Sequence, residues 1–282
     1  MILETEAQAD DALVDLWLQI RTSEHSRRAY RSEVERFRAF VRGPLAGLRL
    51  PDLASYADHL GEGTLKPASQ NRAITAIKSL LSFGHDTGYL PFNVGAALKL
   101  RPNRDPLAQR ILNETDVVRL VEHAPVGRNR VILRLLYCSG VRVSELAALR
   151  WRDTEPRAEA GQITVFGKGG KTRNILLGSK AWQELSAMRA GALPPDPVFR
   201  SQKGGHLDPS QIRRIVYAAA QRAGLDRNVS PHWMRHAHAS HALDHGAPIH
   251  LVQTTLGHAS VATTGRYLHA RPADSSALYL PE

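Results

Sequence analysis

Apolar residues recur at helical spacing through almost all of this chain, and the pattern changes to that of a strand in one place, between residues 161 and 177. There Gln162-Ile163-Thr164-Val165-Phe166 and Arg173-Asn174-Ile175-Leu176-Leu177 form two β-rich runs separated by a turn rich in glycine and lysine. Two such runs across a short connection read as a hairpin. The expected fold class is therefore mainly α with a small antiparallel β-sheet, the sheet lying in the second half.

The rest of the chain divides around one irregular stretch. Residues 10–97 read as several helices. One over 26–41 places Tyr30, Val34, Phe37 and Val41 on one stripe with five arginines around the remainder. Another opens at Lys66-Pro67 and places Ile74, Ile77, Leu80 and Leu81 on its core face. Residues 99–106 hold two prolines, three strong cations and no apolar periodicity, which marks an extended linker. Asn113, with Glu114 and Asp116 behind it, has the form of an N-cap followed by acids in the first turn. Helices are expected near 179–190, 209–223, 231–244, 248–256 and 260–268. The chain is thus read as residues 1–98, a linker over 99–111, and a second domain over 112–282.

Charge says more by its distribution than by its total of +10. Residues 1–100 carry 12 basic and 12 acidic side chains, whereas 101–282 carry 25 and 15. The excess of positive charge lies wholly in the second half, which points to a polyanionic partner there. Residues 1–20 hold five acids and no lysine or arginine, so the first helix is expected to face away from such a partner. From residue 21 to 100 the balance is +5, and Arg27, Arg28, Arg31, Lys66, Asn71 and Arg72 are the candidate DNA contacts. A single cysteine, Cys138, cannot form an internal disulfide and fits a reducing, cytoplasmic setting. No apolar run has the length of a membrane span, and the acidic start does not resemble a signal peptide.

Chemistry-bearing residues concentrate in the second half. Gly140-Val141-Arg142-Val143-Ser144-Glu145-Leu146 is followed by Gly167-Lys168-Gly169-Gly170-Lys171-Thr172-Arg173, then by His232-Trp233-Met234-Arg235, Leu256-Gly257-His258 and Thr263-Thr264-Gly265-Arg266-Tyr267. Each residue taken singly is an ordinary surface, capping or core side chain. Together, two arginines, two histidines, a lysine and a tyrosine suit attack on a phosphodiester, whose transition state gathers negative charge that guanidinium forks are shaped to hold. His232 and Arg235 lie three apart at the start of a helix opened by Pro231, so both side chains can reach one phosphate. The six histidines between His232 and His250 include pairs four apart, but no cysteine and few carboxylates accompany them, so no metal is expected. A phosphate-binding loop is excluded at Gly170, because Val165 stands where its first glycine belongs and a strand follows.

This order and spacing resemble the tyrosine recombinase (phage integrase) family, in particular its compact Xer-like members. The resemblance implies an N-terminal helical, SAM-like core-binding domain and a C-terminal catalytic domain. It assigns phosphate binding to Arg142 and Arg235, proton transfer and orientation of the nucleophile to His232, and a hydrogen bond to a non-bridging oxygen to His258. Tyr267 becomes the nucleophile, forming a 3′-phosphotyrosyl link, and Lys168 the general acid for the leaving 5′ oxygen. The choice of Lys168 over Lys171 rests on family position alone. Lys171 and Arg173 are then DNA contacts, and Glu145 is either a carboxylate bracing the catalytic cations or an ordinary helix acid. His236 also belongs to the family's usual motif, with a packing role.

The implied activity is site-specific recombination through a Holliday junction by a tetramer on two double-stranded DNA sites, of this chain alone or with a second recombinase, with no cofactor, metal or ATP. Trp233 departs from the family's usual leucine, and residues 152–160 are unusually rich in proline and charge. The apolar tail Ala277-Leu278-Tyr279-Leu280 is expected to pack on a neighbouring protomer. Two rival readings remain: a topoisomerase of type IB that relaxes any supercoiled DNA, and a regulator on an inactivated recombinase scaffold.

Overall fold

The computed structural model describes residues 9–21, 23–102, 107–167, 170–225 and 228–270. The chain forms two compact units, Met1–Arg104 and Asp105–Glu282. No helix among the described residues is long and apolar enough to cross a membrane.

The first unit is built from α1 (Asp10–Gln19), α2 (Glu24–Val41), α3 (Leu50–Glu62) and α4 (Pro67–Asp86). The stripe read from the sequence is the one that packs: Val34 and Phe37 of α2 meet Ile74, Ile77, Leu80 and Leu81 of α4, with Trp17 and Tyr56 completing the core. Trp17 stacks on Tyr30 at 5.3 Å, and the Arg21 guanidinium lies 4.9 Å from the Trp17 ring centre. Pro67 opens α4, where its missing N–H costs nothing.

In the second unit α5 (Glu114–Glu122) starts as its sequence indicates, with the Asn113 side chain accepting the Asp116 N–H at 2.7 Å. It is followed by α6 (Arg128–Ser139) and the short α7 (Val143–Ala148). Gly140 ends α6 in the left-handed region at φ 59°, and the turn delivers Arg142 to the start of α7. A three-stranded antiparallel sheet of β1 (Thr154–Arg157), β2 (Ala160–Phe166) and β3 (Thr172–Leu177) comes next, in the order β1-β2-β3. The expected hairpin is β2–β3, with Ile163 opposite Ile175 and Val165 opposite Arg173. The third strand falls where the chain looked irregular. Pro156 is tolerated there because β1 is an edge strand and that position needs no donor.

Then come α8 (Ser179–Ala187), α9 (Pro209–Arg222), α10 (Pro231–Asp244), α11 (Ile249–Leu256) and α12 (Val261–Ala270), close to the expected helices. Ile163 and Val165 of β2 and Ile175 and Leu177 of β3 face the main core with α6, α8 and α9. Helix α8 reaches β2 because Gly161 lacks a side chain: a Cβ there would lie 2.0 Å from Cε3 of Trp182. Gly161→Ala is therefore expected to cost about 1–3 kcal/mol by overpacking, read as a lowered urea midpoint. An unchanged midpoint would mean that α8 can slide away freely.

A smaller core joins Leu107, Ile111, Ala239, Val252, Leu256 and Tyr267. It takes in the C-terminal end of the stretch read as a linker over 99–111. Leu107 and Ile111 are buried in the second unit, and a 3₁₀ turn over Ala108–Arg110 lies between them. At the other end Arg101 is fastened into the first unit, where its backbone exchanges two hydrogen bonds with the Asn71 side chain and its guanidinium meets Asp58 at 2.9 Å.

Candidate active site

Four helical elements of the second unit converge on one cleft of about 380 Å³. The turn before α7 contributes Arg142, α10 contributes His232, Arg235 and His236, the turn after α11 contributes His258, and α12 contributes Tyr267. Arg110 and Arg266 also line it. Five of the six residues read as catalytic are thus brought together across 126 positions of sequence. Lys168, the sixth, lies outside the described residues, as does the tail 277–280.

Each cation has an identifiable support. Arg235 is buried at 4% exposure, and its two terminal nitrogens donate to the carbonyls of Gly140 and Leu256. Those carbonyls close α6 and α11, so one guanidinium fastens two helix ends while keeping further donors of its fork. Burial, then the charge of Arg142, lowers the Arg235 pKa to about 10, which still leaves it charged at neutral pH. Arg142 is half-exposed; its Nη1 donates to Glu145 at 2.9 Å, and its Nη2 approaches the Gly257 carbonyl at 3.4 Å.

Glu145 lies against Arg142 and Arg173. Only 6% exposed, it accepts the Arg142 N–H at 2.8 Å and both terminal nitrogens of Arg173 at 3.0 and 2.8 Å. Burial pushes its carboxyl pKa up, but the hydrogen bonds from Arg173 and from the Arg142 backbone outweigh it and hold the group below the usual carboxylate range. Glu145 is therefore an ionised brace under two arginines.

Arg173, expected on DNA, is turned inward: its side chain is 9% exposed, and it also donates to the Thr255 carbonyl at 2.7 Å. Strand parity carried the signal, because Arg173 stands two residues before Ile175 and four before Leu177, both on the buried face of β3. Lys171 remains exposed, in an adjoining groove of about 600 Å³ that shares Arg142 and His258 with the cleft.

The histidines sit among these cations as neutral rings. Burial, then Arg235 and Arg142, holds His258 at about 4, and its Nδ1 lies 2.9 Å from the buried Thr264 hydroxyl. His232 is exposed at the mouth and is also shifted down, first by partial desolvation and then by Arg235 and Arg142. The Tyr267 ring is 5% exposed and parallel to the His258 ring at 6.4 Å, while its hydroxyl meets His236 Nδ1 at 2.8 Å. Two functional candidates were missed in the sequence. Arg110 was hidden in the supposed linker, and His236 was read as packing although it follows His232 by one helical turn. Among the described residues no carboxylate lines the cleft, and its chemistry is that of an anion site. Among the described residues no group of histidine, cysteine and acidic side chains is placed to hold a metal.

The candidate DNA contacts of the first unit are placed unevenly. Arg28 and Lys66 are exposed, Arg28 only loosely paired with Glu24 at 3.7 Å. Arg31 pairs with Asp15 at 2.9 Å, and Arg27 donates to the Arg21 carbonyl at 2.7 Å, at the end of α1. Arg72 and Arg36 both rest on the buried carboxylate of Glu33 at 2.9 Å. Asn71 is occupied with Arg101 and acts as a clamp on the chain leaving the first unit.

A helical unit followed by a catalytic unit with this cation-lined cleft matches a known family in both parts. The Phage integrase family pattern covers residues 110–274, and the phage integrase N-terminal SAM-like domain covers 13–87. The chain belongs to the phage integrase family and is a tyrosine recombinase, an enzyme that cleaves and rejoins DNA.

Xer recombinases are among its relatives. It is 32% identical over 275 residues to tyrosine recombinase XerC of Xanthomonas campestris pv. campestris, covering 94% of this chain and 84% of that protein. It is 33% identical over 292 residues to tyrosine recombinase XerD of Pseudomonas aeruginosa, covering 96% of each. Among solved structures, a lambda integrase tetramer bound to a Holliday junction has the same fold, with a TM-score of 0.70 at 17% identity over 89% of this chain and 77% of that one.

Proposed function

We propose that this enzyme is a site-specific recombinase that cleaves one strand at a time through a 3′-phosphotyrosyl link at Tyr267 and passes through a Holliday junction within a tetramer on two DNA sites. The observation that carries this reading is the convergence of Arg142, Arg235, His232, His258 and Tyr267 on one cleft that no carboxylate lines among the described residues. The Xer relatives and the tetrameric, junction-bound lambda integrase support the junction and the assembly.

In this reading a phosphodiester enters between Arg142 and Arg235. Their forks hold the non-bridging oxygens and take up the charge that grows there in the transition state. His258 offers its remaining ring nitrogen to the same oxygens. The Tyr267 hydroxyl gives its proton to a neutral histidine of α10 as its oxygen bonds to phosphorus, and the 5′ oxygen departs with a proton from Lys168. The phosphotyrosyl ester retains the energy of the broken bond, so religation needs neither ATP nor metal. Residues 1–98 serve as the core-binding domain and 112–282 as the catalytic domain, with Arg28, Lys66 and Lys171 as exposed phosphate contacts.

Covalent trapping tests the reading: the purified chain is mixed with genomic fragments nicked so that the released end diffuses away. A denaturation-resistant adduct whose DNA has one recurring sequence is the expected result. Relaxation of any supercoiled plasmid without sequence preference would point to a topoisomerase instead. Removing Arg142 by Arg142→Ala is expected to slow adduct formation by about 10²–10³-fold with binding nearly unchanged, the scale of losing one donor to a developing charge. Loss of binding in equal measure would show that the arginine serves only to hold DNA.

A further inference from the structure

Tyr267 and His236 lie 31 residues apart on different helices, yet the histidine Nδ1 stands 2.8 Å from the phenolic oxygen with the ring centres 5.7 Å apart. His236 shares one face of α10 with His232, their rings stacking at 6.0 Å. This places His236 between the exposed His232 and the buried nucleophile. We propose that His236 is a catalytic residue, the general base that takes the proton from the Tyr267 hydroxyl as the phenolic oxygen bonds to phosphorus. The inference rests on the recombinase reading and deepens it by naming the acceptor of the phenolic proton, a role the family resemblance gives to His232.

The step balances without another reactant. The phenolic proton moves to His236 Nδ1, the oxygen–phosphorus bond forms, and the bond from phosphorus to the 5′ oxygen breaks. The departing oxygen takes its proton from the general acid. In religation the 5′-hydroxyl returns its proton to the group that acted as general acid and attacks phosphorus, the phosphotyrosyl bond breaks, and His236 returns its proton to the phenolate.

The surroundings of the pair suit this role. Facing it are His232 and Arg235 of α10, Arg110 from the 3₁₀ turn, Arg142 before α7, His258 after α11 and Arg266 of α12. Burial first, then His232 and the arginines, lowers the His236 pKa to about 4, so the ring is neutral at pH 7 and keeps a lone pair for a proton. A bound phosphodiester places negative charge among those same cations and raises the proton affinity of the ring. The base is therefore weak in the free protein and strengthens when DNA occupies the cleft.

Two variants separate proton transfer from packing. His236→Ala removes the whole group. His236→Asn keeps a polar atom near the position of Nδ1 that can accept a hydrogen bond but cannot take a proton. Adduct formation is timed from pH 6 to 9 on a nicked duplex carrying the sequence recovered with the wild-type chain, with DNA binding measured alongside. Both variants are expected to bind like wild type and to react about 10²–10³-fold more slowly at pH 7, within the usual span for a general base. Their deficit should shrink by about tenfold per pH unit, because the phenolate fraction rises by that factor below a pKa of about 10.

A duplex with sulfur in place of the leaving 5′ oxygen, whose thiolate departs without a proton, should leave the deficit in place. Rescue by sulfur would make His236 an acid and overturn the proposal. A deficit equal at every pH, or an Asn variant as fast as wild type, would reduce it to a packing or orienting group. No adduct from the wild-type chain would sink the recombinase reading and this role together.

Discussion

Tyr267→Phe is expected to abolish covalent capture of DNA while leaving binding within about twofold of wild type. The change deletes one oxygen and leaves the ring, which is 5% exposed and packs with Leu107, Ile111 and Leu256. The hydrogen bond to His236 is lost, at a cost of about 1 kcal/mol, too little to unfold a domain of this size. None of the cations that hold phosphate is altered. Binding and chemistry should therefore separate cleanly, the first measured by gel retardation and the second by denaturation-resistant adducts. An adduct that persists in Tyr267→Phe would show that another nucleophile acts, and Tyr217, exposed on α9 and outside the cleft, would be the next to replace.

The second large effect is expected at Glu145, where stability and rate should fall together. Its carboxylate is the common acceptor for Arg142 and for the nearly buried Arg173. Glu145→Ala leaves the Arg173 charge without its partner, and removing one member of a buried pair costs about 3–5 kcal/mol. For a unit of this size that is a melting temperature lower by on the order of 10 °C. Adduct formation should slow as well, since Arg142 loses the group that aims it. Glu145→Gln keeps the shape and removes the charge, so it tests electrostatics alone.

The acid dependence has a definite sign. The carboxyl is held below its usual value in the folded state, so the unfolded chain binds the proton more tightly. The stabilisation is full above the ordinary carboxylate pKa of about 4.3 and is lost as pH falls through the lower folded value. Wild-type melting should therefore drop over that acid range, and the drop should be smaller in Glu145→Gln. A Gln variant with the wild-type melting temperature and the same acid slope would remove Glu145 from the account of both stability and aim.

Arg142 and Arg173, read from the sequence as a catalytic residue and a DNA contact, differ in their placement because of packing. Arg142 ends at a cleft, whereas Arg173 follows the inward parity of β3 and finishes against Glu145. The parity was available in the spacing of Arg173, Ile175 and Leu177. Arg110 was less accessible to sequence reading: nothing in an extended, proline-flanked stretch says that Leu107 and Ile111 will be buried and turn the arginine into the cleft.

The sequence by itself determined what local chemistry decides. Helix starts were legible at Asn113 and Pro231, the strand pair in its alternation, and the common face of His232 and Arg235 in a spacing of three. These depend on interactions within a few residues, which periodicity and capping describe. The resemblance to the family added the order of the motifs, and with it the expected cleft. Tertiary structure alone decided that His236 meets Tyr267, that Arg235 joins the ends of α6 and α11, and that Glu145 is shared by two arginines. Those contacts join elements 21 to 95 residues apart. They follow from how buried faces of separate helices and a strand fit together, and no pattern within a single element encodes that fit.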